Sequence, residues 1–281
     1  MKTVIYVMRE LMKWDYDDCV YNGKVIMVDM YNLGLRDGQV VIFVDVLGFK
    51  QAILRNESTT MDSKGSLIVN LPAIYNNIDR IDYTKEYQLR KGFKFLWVSD
   101  SIVFSTEISN IDIVLSELCK IINIFYCSSF ALRGAITVGK LYHEENIWGP
   151  AFVWAVEYEK KAMFPRIVIK KHDLNQLKIS DNYLEFFKDT EDPDFQYFDY
   201  FDYHISTAKR NLKNISASLN IYSDFINDNL KNAKDDKTIG KYMWLANSLK
   251  ANIIKHSSFI DNMEENYNHC NLIQRLFNGI I

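Results

Sequence analysis

Several features that would suit a chain to nucleic acid, an oxidising compartment or a membrane are absent from this sequence. Its net charge is −3 and its pI about 6.0, so no broad basic surface is available, and we expect no nucleic-acid partner. The only four cysteines are irregularly spaced, with no Cys-x-x-Cys pair, as is usual in a reducing cytoplasm. No apolar stretch approaches about 18 residues without a charge. The charged N-terminus does not read as a secretory signal, so we expect a cytoplasmic protein and no membrane partner.

The 281 residues are 48% apolar, which is enough to bury a full core. Between residues 38 and 170 the periodicity alternates between strand and helix. Strands are predicted at 40–49, at 91–107 as a hairpin, at 131–145 and at 165–169. Helices are predicted to start at residue 49 and to cover 64–81, 110–125 and 148–162. This order indicates an α+β domain with a mostly antiparallel sheet.

Two flanking segments differ from that central domain. Residues 1–37 form an N-terminal segment with a possible strand at 24–31, and residues 34–39 are predicted to be a turn. Residues 171–281 are predicted to be a mostly helical extension, with helices in 206–234 and 238–275. An aromatic strand is predicted at 195–205, and Asp199 and Asp202 are interpreted as its polar side.

Two aspartates stand out by their context. Asp45 interrupts a strand that is otherwise apolar, and Asp100 lies between two serines at the tip of the predicted hairpin. A buried carboxylate is costly unless it is paired or binds a metal. If the hairpin lies beside the 40–47 strand, both carboxylates enter one site, as a pair of Mg²⁺ or Mn²⁺ ions would require. The plainer alternative is a strand-end acid bonded to backbone amides and an ordinary turn acid.

Four segments together resemble the class III adenylyl and guanylyl cyclases. They occur in that family's order, and they are IFVDVLGFK (42–50), FLWVSDSIVFS (95–105), LRGAITVG (132–139) and NIWGPAFVWAVEYE (146–159). The resemblance covers about residues 38–170. It implies a ferredoxin-like α+β catalytic domain that works as a homodimer, with active sites at the subunit boundary.

The resemblance also implies roles for particular residues. Two metal ions, Mn²⁺ or Mg²⁺, would be held at Asp45, Val46 and Asp100, and Arg133 would contact phosphate as a catalytic residue. The remaining residues implied to bind substrate are Leu47, Gly48, Phe49, Leu96 and Asn146, the last of these from the other protomer.

The two positions that read the base depart from the adenylyl cyclase pattern. Leu96 stands where those enzymes have a lysine, and Asn146 stands where they have an aspartate. Leu and Asn cannot reproduce the donor and acceptor set that reads adenine, and the guanine-type residues are absent too. The Asn amide could match uracil or cytosine, so the sequence leaves UTP and CTP both open.

The fourth segment departs further, with Val153 and Glu157 where the family has its transition-state Asn and Arg. With Gly-Pro after Trp148, this combination resembles the pyrimidine cyclases of bacterial Pycsar anti-phage systems. Those enzymes make cyclic UMP or cyclic CMP, which acts on a separate effector. Arg133 is the first choice to replace the missing arginine, followed by Lys160, Lys161 and Arg166. An adenylyl cyclase with atypical base contacts and an inactive cyclase-like nucleotide sensor are the alternatives.

Overall fold

A computed structural model describes residues 20–21, 24–25, 34–50, 85–208 and 212–258 of the chain. Its strands are β1 (Val20–Tyr21), β2 (Lys24–Val25), β3 (Arg36–Leu47), β4 (Phe93–Val98), β5 (Ser101–Glu107), β6 (Ala131–His143), β7 (Ile147–Trp148), β8 (Ile167–Lys170), β9 (Phe187–Asp189) and β10 (Phe195–Phe198). Its α-helices are α1 (Lys85–Lys91), α2 (Ile111–Cys127), α3 (Pro150–Glu159), α4 (Lys171–Leu174), α5 (Asp181–Leu184), α6 (Tyr200–Thr207), α7 (Leu212–Asn232) and α8 (Asp236–Lys255).

The main sheet has eight strands in the order β4-β5-β3-β6-β8-β10-β9, with β7 paired to β6. All the pairs are antiparallel except β6 with β8, which helix α3 connects as a parallel crossover. The inner order β4-β5-β3-β6 is that of a ferredoxin-like βαββαβ unit. The predicted α+β fold with a mostly antiparallel sheet is therefore confirmed.

Strand β3 lies in the middle of the sheet and is buried on both faces. Ile42 and Val44 point into the main core, which α2 and the C-terminal helices cover. Val41 and Phe43 point to the other face, into a second cluster with Ala151 of α3. Successive strand residues alternate between faces, so the near-continuous apolar run of this strand follows from its central position.

The predicted turn at residues 34–39 is wrong, because β3 already begins at Arg36. The pairing of β3 with β6 shifts register between Arg36 and Gln39, and Gly38 has φ +63°. A glycine in this left-handed conformation allows a bulge without ending the strand. The turn-like composition of this segment therefore marks an irregularity inside a strand.

The predicted aromatic strand at residues 195–205 is half wrong. Strand β10 ends at Phe198, and α6 begins two residues later. Asp199 caps the helix by accepting a hydrogen bond from the backbone N–H of Asp202. The two aspartates therefore start a helix and do not form the polar side of a strand.

The C-terminal segment contributes to the same sheet and the same core as the residues before it. Strands β9 and β10 extend the sheet beyond β8. Ile205 of α6, Leu219 of α7 and Leu249 of α8 are fully buried in the main core. The predicted helical character of residues 206–234 and 238–275 is confirmed for 212–232 by α7 and for 238–255 by α8. The segment boundaries at residues 37 and 170 stay predictions.

Other predictions lie outside the described residues. These are most of the strand at 24–31, the helix after Lys50, the helix at 64–81 and the end of the last helix beyond residue 258. Strands β1 and β2 form a small antiparallel hairpin in a separate compact unit. Within the described ranges, no helix is long and apolar enough to cross a membrane.

Asp202 ties α6 to the end of α8. It is 1% exposed, and its carboxylate lies 2.5 Å from Lys255 Nζ and 2.9 Å from His256 Nε2, with Lys188 at 3.4 Å. Burial alone would raise the pKa of Asp202, but the hydrogen bonds from Lys255 and His256 outweigh it and hold the pKa below its usual value.

We expect Asp202→Asn to lower the free energy of unfolding at pH 7 by about 1–2 kcal/mol, because the two lysines can turn into solvent when their partner is lost. A depressed native pKa gives stability that is present above the unfolded pKa of about 4 and is lost as pH falls through the native value. The difference in free energy of unfolding between wild type and variant, measured with urea, should therefore become smaller below about pH 4. Asp224→Asn, at an exposed position, serves as control. A stability difference between wild type and Asp202→Asn that stays the same at low pH would contradict the stabilising role of the Asp202 carboxylate.

Candidate functional site

Asp45 lies near the end of β3, in register with Ser101 on β5 and Arg133 on β6. Its side chain is about a quarter exposed and stands on the same face of the sheet as Phe43, two residues earlier. The acid therefore sits where the second apolar cluster ends and the sheet becomes accessible.

Asp100 comes to the same end of the sheet through the turn between β4 and β5. Ser99 in this turn has φ +58°, and the backbone N–H of Val46 donates a hydrogen bond of 2.7 Å to the carbonyl oxygen of Asp100. The predicted hairpin is confirmed, and β5 lies beside β3 as the two-acid site requires. The Asp100 charge is close enough to act on the pKa of Asp45.

Arg133 extends over Asp45 from the neighbouring strand. Its Nη2 lies 3.7 Å from Asp45 Oδ2 and also forms an ion pair with Glu159, the buried last residue of α3. Gly134 permits this close pairing, because a Cβ there would lie 2.2 Å from the carbonyl oxygen of Phe43. The guanidinium is therefore held between two carboxylates and is aimed at the end of β3.

Three carboxylates lie close to this point, and the pKa is raised for two of them, Asp45 and Glu159. Burial, followed by the charge of Glu159, raises the pKa of Asp45 to about 6, although Arg133 acts in the opposite direction. Burial also raises the pKa of Glu159 against the influence of Arg133. A site with this excess of negative charge suits a cationic ligand.

Sequence reasoning missed two charged residues of this site. Glu159 was noted only as part of a motif, and Lys241 on α8 was not considered. Burial, followed by the charge of Arg133, lowers the pKa of Lys241, whereas Asp45 and Glu159 raise it. Lys241 follows Asp45 by almost 200 positions in the chain, so only the packing of α8 against the sheet brings it here.

The backbone leaves the sheet after Leu47, the last residue of β3. Gly48 is exposed and has φ +82°, a conformation that favours glycine. Val46 is buried in the main core, and Phe49 packs in the same core with its ring 6.1 Å from that of Phe130. Because the side chains of Val46 and Phe49 are buried, these residues can contact a ligand only through their backbone. Leu47 is half-buried at the end of β3.

Leu96 of β4 stands on the same face of the sheet as Asp45. It pairs with Val103, which pairs with Phe43, and all three belong to the second cluster. Its neighbours Phe95 and Trp97 point into the main core, where Trp97 packs edge-to-face on Phe125 at 6.0 Å. Among these three hairpin residues, Leu96 is the one that shares a face with the two-acid site.

Asn146 is exposed in the turn between β6 and β7. Arg133 lies near the start of β6 and His143 at its end, so the ten intervening steps of extended chain span about 33 Å. Asn146 lies beyond His143, so the structure does not bring it near Asp45 within one chain.

The other cations considered from the sequence have different surroundings. Lys160 pairs with Glu157 at 2.7 Å on the surface, and Lys161 is exposed. Arg166 is buried, pairs with Glu191 at 2.5 Å and stacks against three aromatic rings, those of Phe164, Tyr197 and Trp244. These contacts give Arg166 a structural role between β8 and α8.

The donor set fits hard divalent ions. Two carboxylates and nearby backbone carbonyls are oxygen ligands of the type that Mg²⁺ and Mn²⁺ prefer. No group of three or more His, Cys, Asp or Glu side chains arranged to bind a metal occurs in the described part of the chain. Oxygen atoms of a bound ligand would have to complete the coordination of any ion held by Asp45 and Asp100.

No protein-family model and no curated protein sequence matches the chain significantly. Among solved structures, similarity extends to the adenylyl cyclase CyaB from P. aeruginosa, with 13% identity and a TM-score of 0.33 over 49% of this chain and 79% of that one. The guanylyl cyclase Cya2 gives 9% identity and a TM-score of 0.37 over 57% and 89% of the two chains. A bacterial light-regulated adenylyl cyclase gives 11% identity and a TM-score of 0.31, over 47% of this chain and 74% of that one.

All three of these proteins are nucleotide cyclases by name.

Proposed function

We propose that this chain is a nucleotide cyclase that converts UTP or CTP to the 3′,5′-cyclic monophosphate and pyrophosphate. The observation that carries the proposal is the meeting of Asp45 and Asp100 at one end of the sheet, joined by the hydrogen bond from Val46 to Asp100. A second support is the cationic side of the same site, formed by Arg133 and Lys241. Together these groups suit an anionic substrate that brings divalent ions with it.

Asp45 and Asp100 would hold two Mg²⁺ or Mn²⁺ ions, with a backbone carbonyl at Val46 as a further ligand. When bound, such ions would supply Lewis acidity that lowers the pKa of a ribose 3′-hydroxyl and would offset the charge of the triphosphate. The exposed backbone at Gly48 lets a phosphate approach the chain closely, since no side chain stands in its way.

Arg133 both positions Asp45 and contacts substrate in this scheme. Its ion pairs with Asp45 and Glu159 hold the metal-binding carboxylate in place, and the guanidinium can also bind two phosphate oxygens at once. The displacement at the α-phosphorus is in line, with pyrophosphate as leaving group, so positioning and charge stabilisation supply most of the catalysis.

The second protomer supplies the base contact in this proposal. Asn146 lies about 33 Å or more along β6 from Arg133, so it can face a nucleotide only in the site of another chain. A two-fold dimer would create two such composite sites. The cyclic product would then act as a signal on a separate effector, as in the anti-phage systems that the sequence resembles.

We expect the protein to sediment as a dimer near twice its 33.0 kDa. Mixing an Asp45→Ala chain with an Asn146→Ala chain should restore about a quarter of wild-type activity, since half of the dimers are mixed and one of their two sites is intact. The matched control mixes Asp45→Ala with Asp100→Ala, which come from the same side of the site and should restore nothing. A fully active monomer, or equal activity in both mixtures, would contradict shared sites.

Release of pyrophosphate from UTP or CTP with Mn²⁺ distinguishes an enzyme from a sensor. The proposal predicts that pyrophosphate and cyclic nucleotide form in equal amounts. A protein that binds the nucleotide without turnover would fit the inactive cyclase-like sensor instead. Release of inorganic phosphate alone would indicate a hydrolase and overturn the proposal.

A further inference from the structure

Helix α8 packs through Trp244 against the segment that follows α3 and against β10. Trp244 stacks on Phe164 with ring centroids 5.7 Å apart and an interplanar angle of 7°, and it meets Tyr197 edge-to-face at 5.6 Å. Phe164 follows Glu159 by five residues. The buried Tyr242 and Leu245 fix the rotation of the helix about its axis. Lys241, less than one turn before Trp244, is therefore held on the side of α8 that carries these contacts.

The surroundings of Lys241 are charged. Its half-buried ammonium is close enough to Asp45 and Glu159 for its charge to lower the pKa of both, against the larger effect of burial. Burial, followed by the charge of Arg133, lowers the pKa of Lys241 itself. Arg133 already bridges Asp45 and Glu159 directly. In the described ranges no carboxylate forms such a pair with Lys241. Arg133 is thus partly engaged by two carboxylates, whereas the three ammonium donors of Lys241 are available to a ligand.

We propose that Lys241 binds the polyphosphate of the nucleotide, so that the C-terminal extension completes the active site of its own chain. This inference rests on the proposed function and extends it to a residue outside the segments that resemble cyclases. The ligand chemistry is a di- or triphosphate anion, and the bound atoms are non-bridging phosphate oxygens.

An ammonium group suits this role for two reasons. It is a compact point charge with three donors on a flexible stem, so it can follow phosphate oxygens whose positions change during the reaction. Negative charge also builds up on the leaving pyrophosphate, where a cation placed in advance stabilises the transition state more than the ground state.

The test compares Lys241→Met with Lys231→Met, an exposed lysine in the last turn of α7. We expect Lys241→Met to weaken binding of Mg²⁺-pyrophosphate, measured by calorimetry, by about tenfold or more. It should also lower kcat/KM for the nucleotide by about 10²-fold. Lys231→Met should match wild type in both measurements, and Lys241→Arg should recover most of the pyrophosphate affinity.

The two readouts separate this inference from the proposed function. If wild type forms cyclic nucleotide but Lys241→Met binds pyrophosphate normally, the inference is wrong and the cyclase assignment stands. If no cyclic product forms from any nucleotide, the proposed function is wrong, and the calorimetric comparison still decides whether Lys241 binds polyphosphate. A change in unfolding temperature with unchanged pyrophosphate affinity would make Lys241 a structural residue and overturn the inference.

Discussion

Asp45→Ala and Asp100→Ala are each expected to abolish cyclisation, with a loss of about 10³-fold or more, since metal ions contribute several kcal/mol to the stabilisation of such transition states. Both carboxylates lie at one end of the sheet, and the backbone hydrogen bond between Val46 and Asp100 fixes their separation. Neither acid can replace the other, because two ions need both.

These variants should remain folded. Burial and the nearby carboxylates raise the pKa of Asp45, so its ionised form destabilises the folded chain, and a neutral side chain removes that cost. Melting temperatures measured beside the activities check this point. Asp37→Asn, an exposed acid near the start of the same strand, is the matched control and should keep full activity. Full activity in either Ala variant would contradict the metal assignment.

UTP or CTP should be cyclised about 10²- to 10⁴-fold better than ATP or GTP, with UTP slightly preferred, since each unpaired polar group on a desolvated purine edge costs about 1–3 kcal/mol. Adenine needs a donor for N1 and an acceptor for its amino group. Leu96 offers neither, and the pairing of β4 places this residue, and not Phe95 or Trp97, on the face of Asp45. Asn146 alone could satisfy only part of the adenine edge.

A paired substitution tests the same explanation from the other direction. Leu96→Lys together with Asn146→Asp should raise the relative kcat/KM for ATP, because the pair restores a donor and an acceptor at the base. Competition assays with all four nucleotides give the ratios directly. Wild type that cyclises ATP as fast as UTP and CTP would defeat the pyrimidine assignment and favour the adenylyl cyclase alternative.

Local sequence patterns predicted those elements whose pattern of buried and exposed residues is regular. Strand β3 was recognisable because both of its faces are buried, and its one acid was therefore conspicuous. The hairpin around Asp100 was recognisable from two apolar runs that meet at a polar tip. The prediction of a turn at residues 34–39 was wrong because bulges and turns favour the same residue types, such as Gly38. Only the pairing of β3 with β6 distinguishes the two.

The parts of the site that the sequence did not predict depend on contacts between distant segments. The segment after Phe198 has strand-like aromatic residues, but Asp199 caps a helix there, and the aromatic side chains pack into the core. In the sequence, nothing distinguishes Lys241 from the other lysines of a polar helix. Its place near the sheet follows from the stacking of Trp244 on Phe164. Glu159, at the end of α3, likewise belongs to the site only through its ion pair with Arg133 on β6.

The most direct test of the central claim is mass spectrometry of the products formed when purified protein is incubated with each nucleoside triphosphate and Mn²⁺. The account predicts a 3′,5′-cyclic pyrimidine monophosphate from wild type and none from Asp45→Ala. Absence of any cyclic nucleotide from a folded, dimeric wild-type protein, or its undiminished formation by Asp45→Ala, would contradict it.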